Sequence, residues 1–84
     1  MQTINLSYDK KYDILYARYP FNGHSYGHED DNGIITYYNI QTDHITGMAI
    51  HSFCKRFNTG KLNLRSLPVP LDSVISNIQS LIKQ

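Results

Sequence analysis

Two segments of alternating apolar and polar residues constrain the fold more than any other feature of this chain. They span residues 8–19, which read YDKKYDILYARY, and residues 32–53, which read NGIITYYNIQTDHITGMAIHSF. Period-two alternation, enrichment in β-branched and aromatic residues, and polar residues at the centre of each segment are typical of β-hairpins. Strands joined this closely in sequence pair antiparallel. The sequence therefore predicts an antiparallel sheet.

The strand boundaries follow from the positions of the turn-forming residues and of proline. In the first hairpin, residues 4–8 form one strand, residues 9–11 turn, and residues 14–19 return until Pro20 ends the strand. Residues 20–32, PFNGHSYGHEDDN, have no periodicity and are interpreted as an exposed loop.

The second hairpin runs from residues 34–40 through a turn at 41–44 to residues 45–53. Gly47 within its return strand indicates a β-bulge or a close approach of two backbones. Residues 61–67 alternate over a short length, so the pattern leaves open whether they add a fifth strand.

The third predicted strand has apolar residues on both faces. Ile34, Tyr38 and Ile40 share one face, whereas Ile35 and Tyr37 share the other. One helix covers only one face of a sheet. A second subunit is the natural cover for the other face, and we therefore expect a homodimer.

The last segment of the chain switches to the helical period. Its apolar stripe consists of Leu71, Val74, Ile75, Ile78, Leu81 and Ile82. Pro70 stands where a helix begins. Together these patterns predict an α+β fold in one domain over residues 1–84. A four- or five-stranded antiparallel meander spans residues 3–53, a basic segment spans 54–70, and an amphipathic helix spans 71–83 and packs on one face of the sheet.

Composition excludes several classes of protein. The chain has 84 residues and a net charge of +1, which does not suit a bulk nucleic-acid binder. Cys54 is the single cysteine, so no internal disulfide can form and a cytoplasmic location is expected. The sequence contains no apolar run of membrane-spanning length, and we expect no membrane association.

The charge is unevenly distributed. Residues 54–70 contain four basic residues and no acid: Lys55, Arg56, Lys61 and Arg65. Phe57 lies among these cations, a combination that suits phosphate contacts with base stacking. An acidic protein partner or plain solvation explains the segment equally well. With the adjacent Tyr37 and Tyr38, these four cations are the candidate binding residues, since tyrosine is enriched at interfaces.

The remaining motifs give no reason to expect catalysis. His24, His28 and Glu29, followed by two aspartates, offer ligand types that suit a divalent metal, but their spacing fits no closed site and a hydrated loop is the favoured interpretation. Cys54 has no base at the usual spacing, and no nucleophile elbow or phosphate-binding glycine loop is present. We therefore predict a protein that is not an enzyme and needs no cofactor.

The first hairpin resembles a family of small bacterial proteins, domain-of-unknown-function family 2283. The matching positions are Tyr8, Asp9, Asp13, Leu15, Tyr16 and Arg18, followed by Gly33, Ile34, Ile35, Gly47 and Ile50. The resemblance covers about residues 3–53 and departs at residues 36–38 and at Ala49, where family members often carry acids. It implies no catalytic residues, and it implies an antitoxin-like binding role.

These observations predict a small cytoplasmic homodimer that binds or regulates a protein partner without catalysis. The alternative is a weak nucleic-acid-binding protein that uses the basic segment over residues 54–65.

Overall fold

The computed structural model describes residues 3–82 and confirms the α+β class. The elements are β1 (Asn5–Asp9), β2 (Ile14–Arg18), β3 (Ser25–Glu29), β4 (Ile34–Asn39), β5 (Ile45–His51), α1 (Phe53–Asn58), a 3-10 turn (Asp72–Val74) and α2 (Ile75–Ile82). The helix predicted over residues 71–83 is therefore a 3-10 turn followed by α2, and its last residue, Lys83, lies outside the described residues.

The five strands form one antiparallel sheet in the order β1-β2-β5-β4-β3. The predicted four-stranded meander would pair β2 directly with β4, whereas here β5 lies between them. Hydrophobic burial explains this order. Leu15 of β2 and Ile34 of β4 both face Ile50 of β5, and the five central residues of β5 are all buried, so the most buried strand occupies the centre.

The fifth strand comes from a segment that the sequence predicts to be a loop. β3 lies within residues 20–32, and residues 61–67 contain no strand. All five residues of β3 are exposed, so it carries no apolar periodicity that would reveal it. Its central residue, Gly27, lies against the Tyr37 ring, since a Cβ there would be 3.0 Å from Cε1 of that ring. Backbone pairing with β4 therefore defines this strand.

The core lies on one face of the sheet. The fully buried side chains from the strands include Leu15, Met48 and Ile50. The covering layer comes from the chain after β5, and its buried residues are Phe53, Leu67, Val69, Leu71 and Ile78. Ile78 is fully buried, whereas Ile75 of the predicted helical stripe is 37% exposed. The predicted apolar stripe therefore includes one residue, Ile75, that is exposed.

A residue of the first hairpin caps α1 from a distance of 41 positions in sequence. The Asp13 carboxylate accepts hydrogen bonds from the backbone N–H of Cys54 at 2.8 Å and from the Tyr8 hydroxyl at 2.6 Å. Its carbonyl oxygen also accepts from the Phe53 N–H at 3.0 Å. Ser52 precedes α1 but makes no side-chain cap. Asp13 thus satisfies the first free donors of this helix and complements its dipole.

The Asp13 cap makes stability depend on pH. Desolvation favours the neutral carboxyl, but hydrogen bonds from Tyr8 and from the backbone of Cys54 and Lys55 outweigh it and lower the pKa of Asp13 below its ordinary value. The ionised carboxyl therefore stabilises the fold above the unfolded-state pKa of about 3.9. This contribution is lost as the pH falls through that value and then through the folded-state pKa.

We therefore expect urea titrations to give a larger free energy of unfolding for the wild type than for Asp13→Asn at neutral pH. The difference should shrink in acid. A difference that stays constant from neutral pH to below the folded-state pKa of Asp13 would contradict an ionised cap.

Candidate functional site

The face of the sheet opposite the core carries a group of apolar and aromatic side chains, which we call the open face. It consists of Ile14, Tyr16, Ile35, Tyr37 and Ala49. The four larger side chains are half-buried, and among the described residues none of the five packs in the hydrophobic core. Ala49 is buried between its cross-strand neighbours Tyr16 and Ile35. The layer that covers the core lies on the other side of the sheet. The open face therefore presents aromatic and aliphatic surface that this layer does not cover.

A depression of about 300 Å³ lies on the open face above Gly47. Tyr16, Tyr37, Arg18 and Ser25 line it together with residues 46–48. Gly47 is where two backbones approach closely, because a Cβ there would lie 2.8 Å from the carbonyl oxygen of residue 17. The pairing of β4 with β5 also shifts register beside it, so the sequence-based expectation for this glycine is confirmed.

Arg18 gives this depression its charge. The side chain is exposed, and among residues 3–82 it makes no ion pair or hydrogen bond. Its position beside the rings of Tyr16 and Tyr37 suits a carboxylate-bearing side chain presented by a partner, since a guanidinium binds carboxylates in a bidentate geometry. In the sequence, only the family resemblance points to Arg18. Its role here depends on the pairing of β2 with β5.

The two adjacent tyrosines point to opposite faces, as strand alternation predicts. Tyr37 belongs to the open face, whereas Tyr38 stacks on Tyr26 with ring centroids 5.3 Å apart. Tyr26 is 42% exposed, and its hydroxyl donates to Asp43 at 2.7 Å. This hydrogen bond raises the pKa of Tyr26. Ile45 faces Tyr38 across the strands and is also exposed. Tyr37 and Tyr38 therefore belong to two separate surfaces.

The four candidate cations are dispersed rather than gathered into one patch. Arg56 donates from Nη2 to the carbonyl oxygen of Asn32, and its Nη1 is buried without a partner among the described residues. Arg56 and Lys61 both line a cavity of about 410 Å³. Arg65 lies 3.7 Å from the carboxylate of Asp72. Lys55 is exposed on α1. The structure thus brings Arg56 and Lys61 together and leaves the other two cations apart from this cavity.

The three metal-ligand candidates do not converge. His28 and Glu29 are successive residues of β3, so their side chains point to opposite faces of the sheet. His24 precedes the strand. Over residues 3–82, no three His, Cys, Asp or Glu side chains come close enough together to hold a metal ion.

Comparison with protein-family models, curated proteins and solved structures finds no match. The resemblance to family 2283 stays a prediction. Two of the residues that carry it have a structural role here, because Asp13 caps α1 and the Tyr8 hydroxyl donates to the Asp13 carboxylate. No helix within residues 3–82 is long and apolar enough to cross a membrane.

Proposed function

We propose that this chain is a small cytoplasmic homodimer that binds a protein partner and performs no catalysis, in the manner of an antitoxin-like regulatory module. One observation carries the proposal: the open face presents aromatic and aliphatic side chains that do not pack in the core of the described structure. Apolar and aromatic surface of this kind, lined by an arginine, has the composition of protein interfaces rather than of solvated sheet faces.

The depression above Gly47 supports a partner of a particular chemistry. Tyr16 and Tyr37 offer ring surface for an apolar side chain, and Arg18, which has no ion-pair partner within residues 3–82, offers charge for a carboxylate. The partner segment that fits carries an apolar residue beside an acid. Tyr37 is the expected centre of the interface because tyrosine is enriched among the few residues that carry most of the binding energy.

Adjacent tyrosines supply a matched test of this surface. Tyr37→Ala alters the open face, and Tyr38→Ala makes the same change on the opposite face. Each tagged variant is used to capture proteins from an extract of the source cells, followed by quantitative mass spectrometry. We expect at least one protein to be captured by the wild type and by Tyr38→Ala and to fall by roughly tenfold or more with Tyr37→Ala. If every captured protein responds equally to both variants, the open face is not the binding surface.

The alternative function, weak nucleic-acid binding through residues 54–65, is supported by Lys55 and Lys61, which have no acidic partner among the described residues. Ionic strength distinguishes the two functions. Nucleic-acid affinity should fall steeply as salt rises, with a slope near one logarithmic unit per phosphate contact, whereas an open-face protein complex should change little. Fluorescence anisotropy of labelled RNA and DNA oligonucleotides at several salt concentrations measures this slope.

A further inference from the structure

Within residues 3–82, the outer strand β3 has an unpaired edge. It is the last strand in the sheet order, it pairs only with β4 among the strands of this part of the chain, and all five of its residues are exposed. It contains neither proline nor lysine, the residues that commonly protect a sheet edge from pairing with another chain. The other outer strand, β1, contacts α2.

The hydrogen bonds that flank β3 determine which of its residues face outward. The N–H of Asp30 donates to the carbonyl of Ile34 at 3.0 Å, and the N–H of Ile40 donates to the carbonyl of His24 at 3.1 Å. Backbone groups alternate in direction along an antiparallel strand, so the even-numbered residues bond to β4. The odd-numbered residues of β3 direct their N–H and C=O groups away from the sheet. These residues are Ser25, Gly27 and Glu29.

We propose that two copies of the chain pair antiparallel along β3, with Gly27 opposite Gly27 of the partner subunit. This inference rests on the proposed homodimer and assigns its interface to the edge of β3 instead of to the open face, which stays free for a protein partner. The pairing places Ser25 opposite Glu29 of the partner subunit and forms about six backbone hydrogen bonds, two for each opposed pair. It joins the two five-stranded sheets into one continuous sheet.

The charges along β3 favour this register. Glu29 faces the hydroxyl of Ser25, and beyond the strand Asp30 faces His24 of the partner subunit, so no two like charges are opposed. A two-fold axis at Glu29 would place two carboxylates directly opposite each other. An axis at Ser25 would leave the backbone groups of Glu29 unpaired. The register centred on Gly27 avoids both.

The open face favours the same register. A two-fold axis through Gly27, perpendicular to the sheet, places both open faces on the same side. Three strand spacings of about 4.8 Å separate the two Tyr37 backbones. The Tyr37 ring already lies over Gly27, so the two rings approach each other across the paired glycines. The dimer therefore presents one continuous open face, twice the size of that of the monomer.

Introducing charges at residues 25 and 29, which oppose each other across the proposed interface, tests the register directly. Ser25→Glu places a carboxylate opposite Glu29 of the partner subunit at two symmetric positions, and we expect the dimer dissociation constant to rise by roughly tenfold. The double variant Ser25→Glu with Glu29→Lys opposes charges of opposite sign and should restore the wild-type constant. Ser25→Ala is the matched control, because it removes the 2.9 Å contact with the Thr46 hydroxyl without adding charge. Sedimentation velocity over a concentration series measures all four constants.

Amide hydrogen exchange gives a second readout that needs no substitution. The outward N–H groups of Ser25, Gly27 and Glu29 should be protected at concentrations where the dimer forms and exchange freely on dilution. The inward N–H groups of Tyr26 and His28 should remain protected in both conditions, since they bond to β4.

The outcomes separate this inference from the proposed function. Weakening by Ser25→Glu, rescue by the double variant and concentration-dependent protection of the outward amides support the β3 interface. A dimer whose dissociation constant is the same in all four proteins overturns this interface and leaves the homodimer standing. A wild-type protein that stays monomeric at 9.7 kDa at every concentration overturns both.

Discussion

Ile78→Asp is expected to abolish cooperative thermal unfolding. The Ile78 side chain is fully buried and belongs to the core cluster that joins α2 to the sheet. The substitution removes about 2–5 kcal/mol of packing and also buries a carboxylate that has no partner. A domain of this size has a total stability of roughly 4–13 kcal/mol, so the loss approaches or exceeds what holds it together. Circular dichroism during heating measures the result.

The same substitution three residues earlier is the control. Ile75 lies in the same helix but is 37% exposed, so its carboxylate variant remains hydrated. We expect Ile75→Asp to lower the melting temperature by only a few degrees and to keep a single transition. Equal effects at the two positions would mean that α2 does not pack on the sheet through Ile78.

The sequence predicted the parts of the fold that depend on hydrophobic periodicity. Strands near residues 4–8, 14–19, 34–40 and 45–53 and a C-terminal helix were all identified, because each buries at least one side chain or packs against the core. β3 was missed because all of its side chains are exposed and its pairing depends on backbone groups. Periodicity therefore detects burial, and an edge strand without buried side chains escapes it.

The candidate site was predicted in part. Alternation correctly placed Tyr37 and Tyr38 on opposite faces of the sheet. The two tyrosines therefore cannot both lie on one binding surface together with the basic segment. Arg18 reaches the Tyr37 neighbourhood only because β2 and β4 flank the same strand. That adjacency is a property of the strand order. The expected four-stranded meander would have paired β2 directly with β4 and left β5 at the edge, so sequence reasoning could not place Arg18 and Tyr37 on either side of Gly47.

Two residues of the first hairpin, Tyr8 and Asp13, have a physical role in the fold. Tyr8 and Asp13 lie five residues apart across the first turn, and their 2.6 Å hydrogen bond orients the carboxylate toward the start of α1. The backbone of Asp13 has φ 55°, the left-handed region that Asp tolerates better than most residues. The Tyr8–Asp13 pair therefore couples the first hairpin to the helix after β5.

Removing the Asp13 carboxylate is the second substitution for which we expect a large effect. Asp13→Ala leaves the Tyr8 hydroxyl and the N–H of Cys54 without their acceptor and places alanine at a left-handed φ. Loss of a helix cap and of charge-assisted hydrogen bonds predicts a decrease of about 3 kcal/mol in the free energy of unfolding. For a domain of this length the melting temperature should fall by roughly 12–24 °C.

Asp9→Ala is the matched control because Asp9 ends β1 at the start of the same turn, and within residues 3–82 its carboxylate accepts only from local backbone, the N–H groups of Lys11 and Tyr12. That change should cost less than about 1 kcal/mol, since both donors are exposed to water. Tyr8→Phe separates the two contacts of Asp13: it removes the hydroxyl and keeps the cap, so an intermediate loss of about 1 kcal/mol is expected. If Asp9→Ala and Asp13→Ala destabilise equally in urea titrations, the long-range cap contributes nothing beyond its own turn, and α1 must be held by the packing of Phe53 alone.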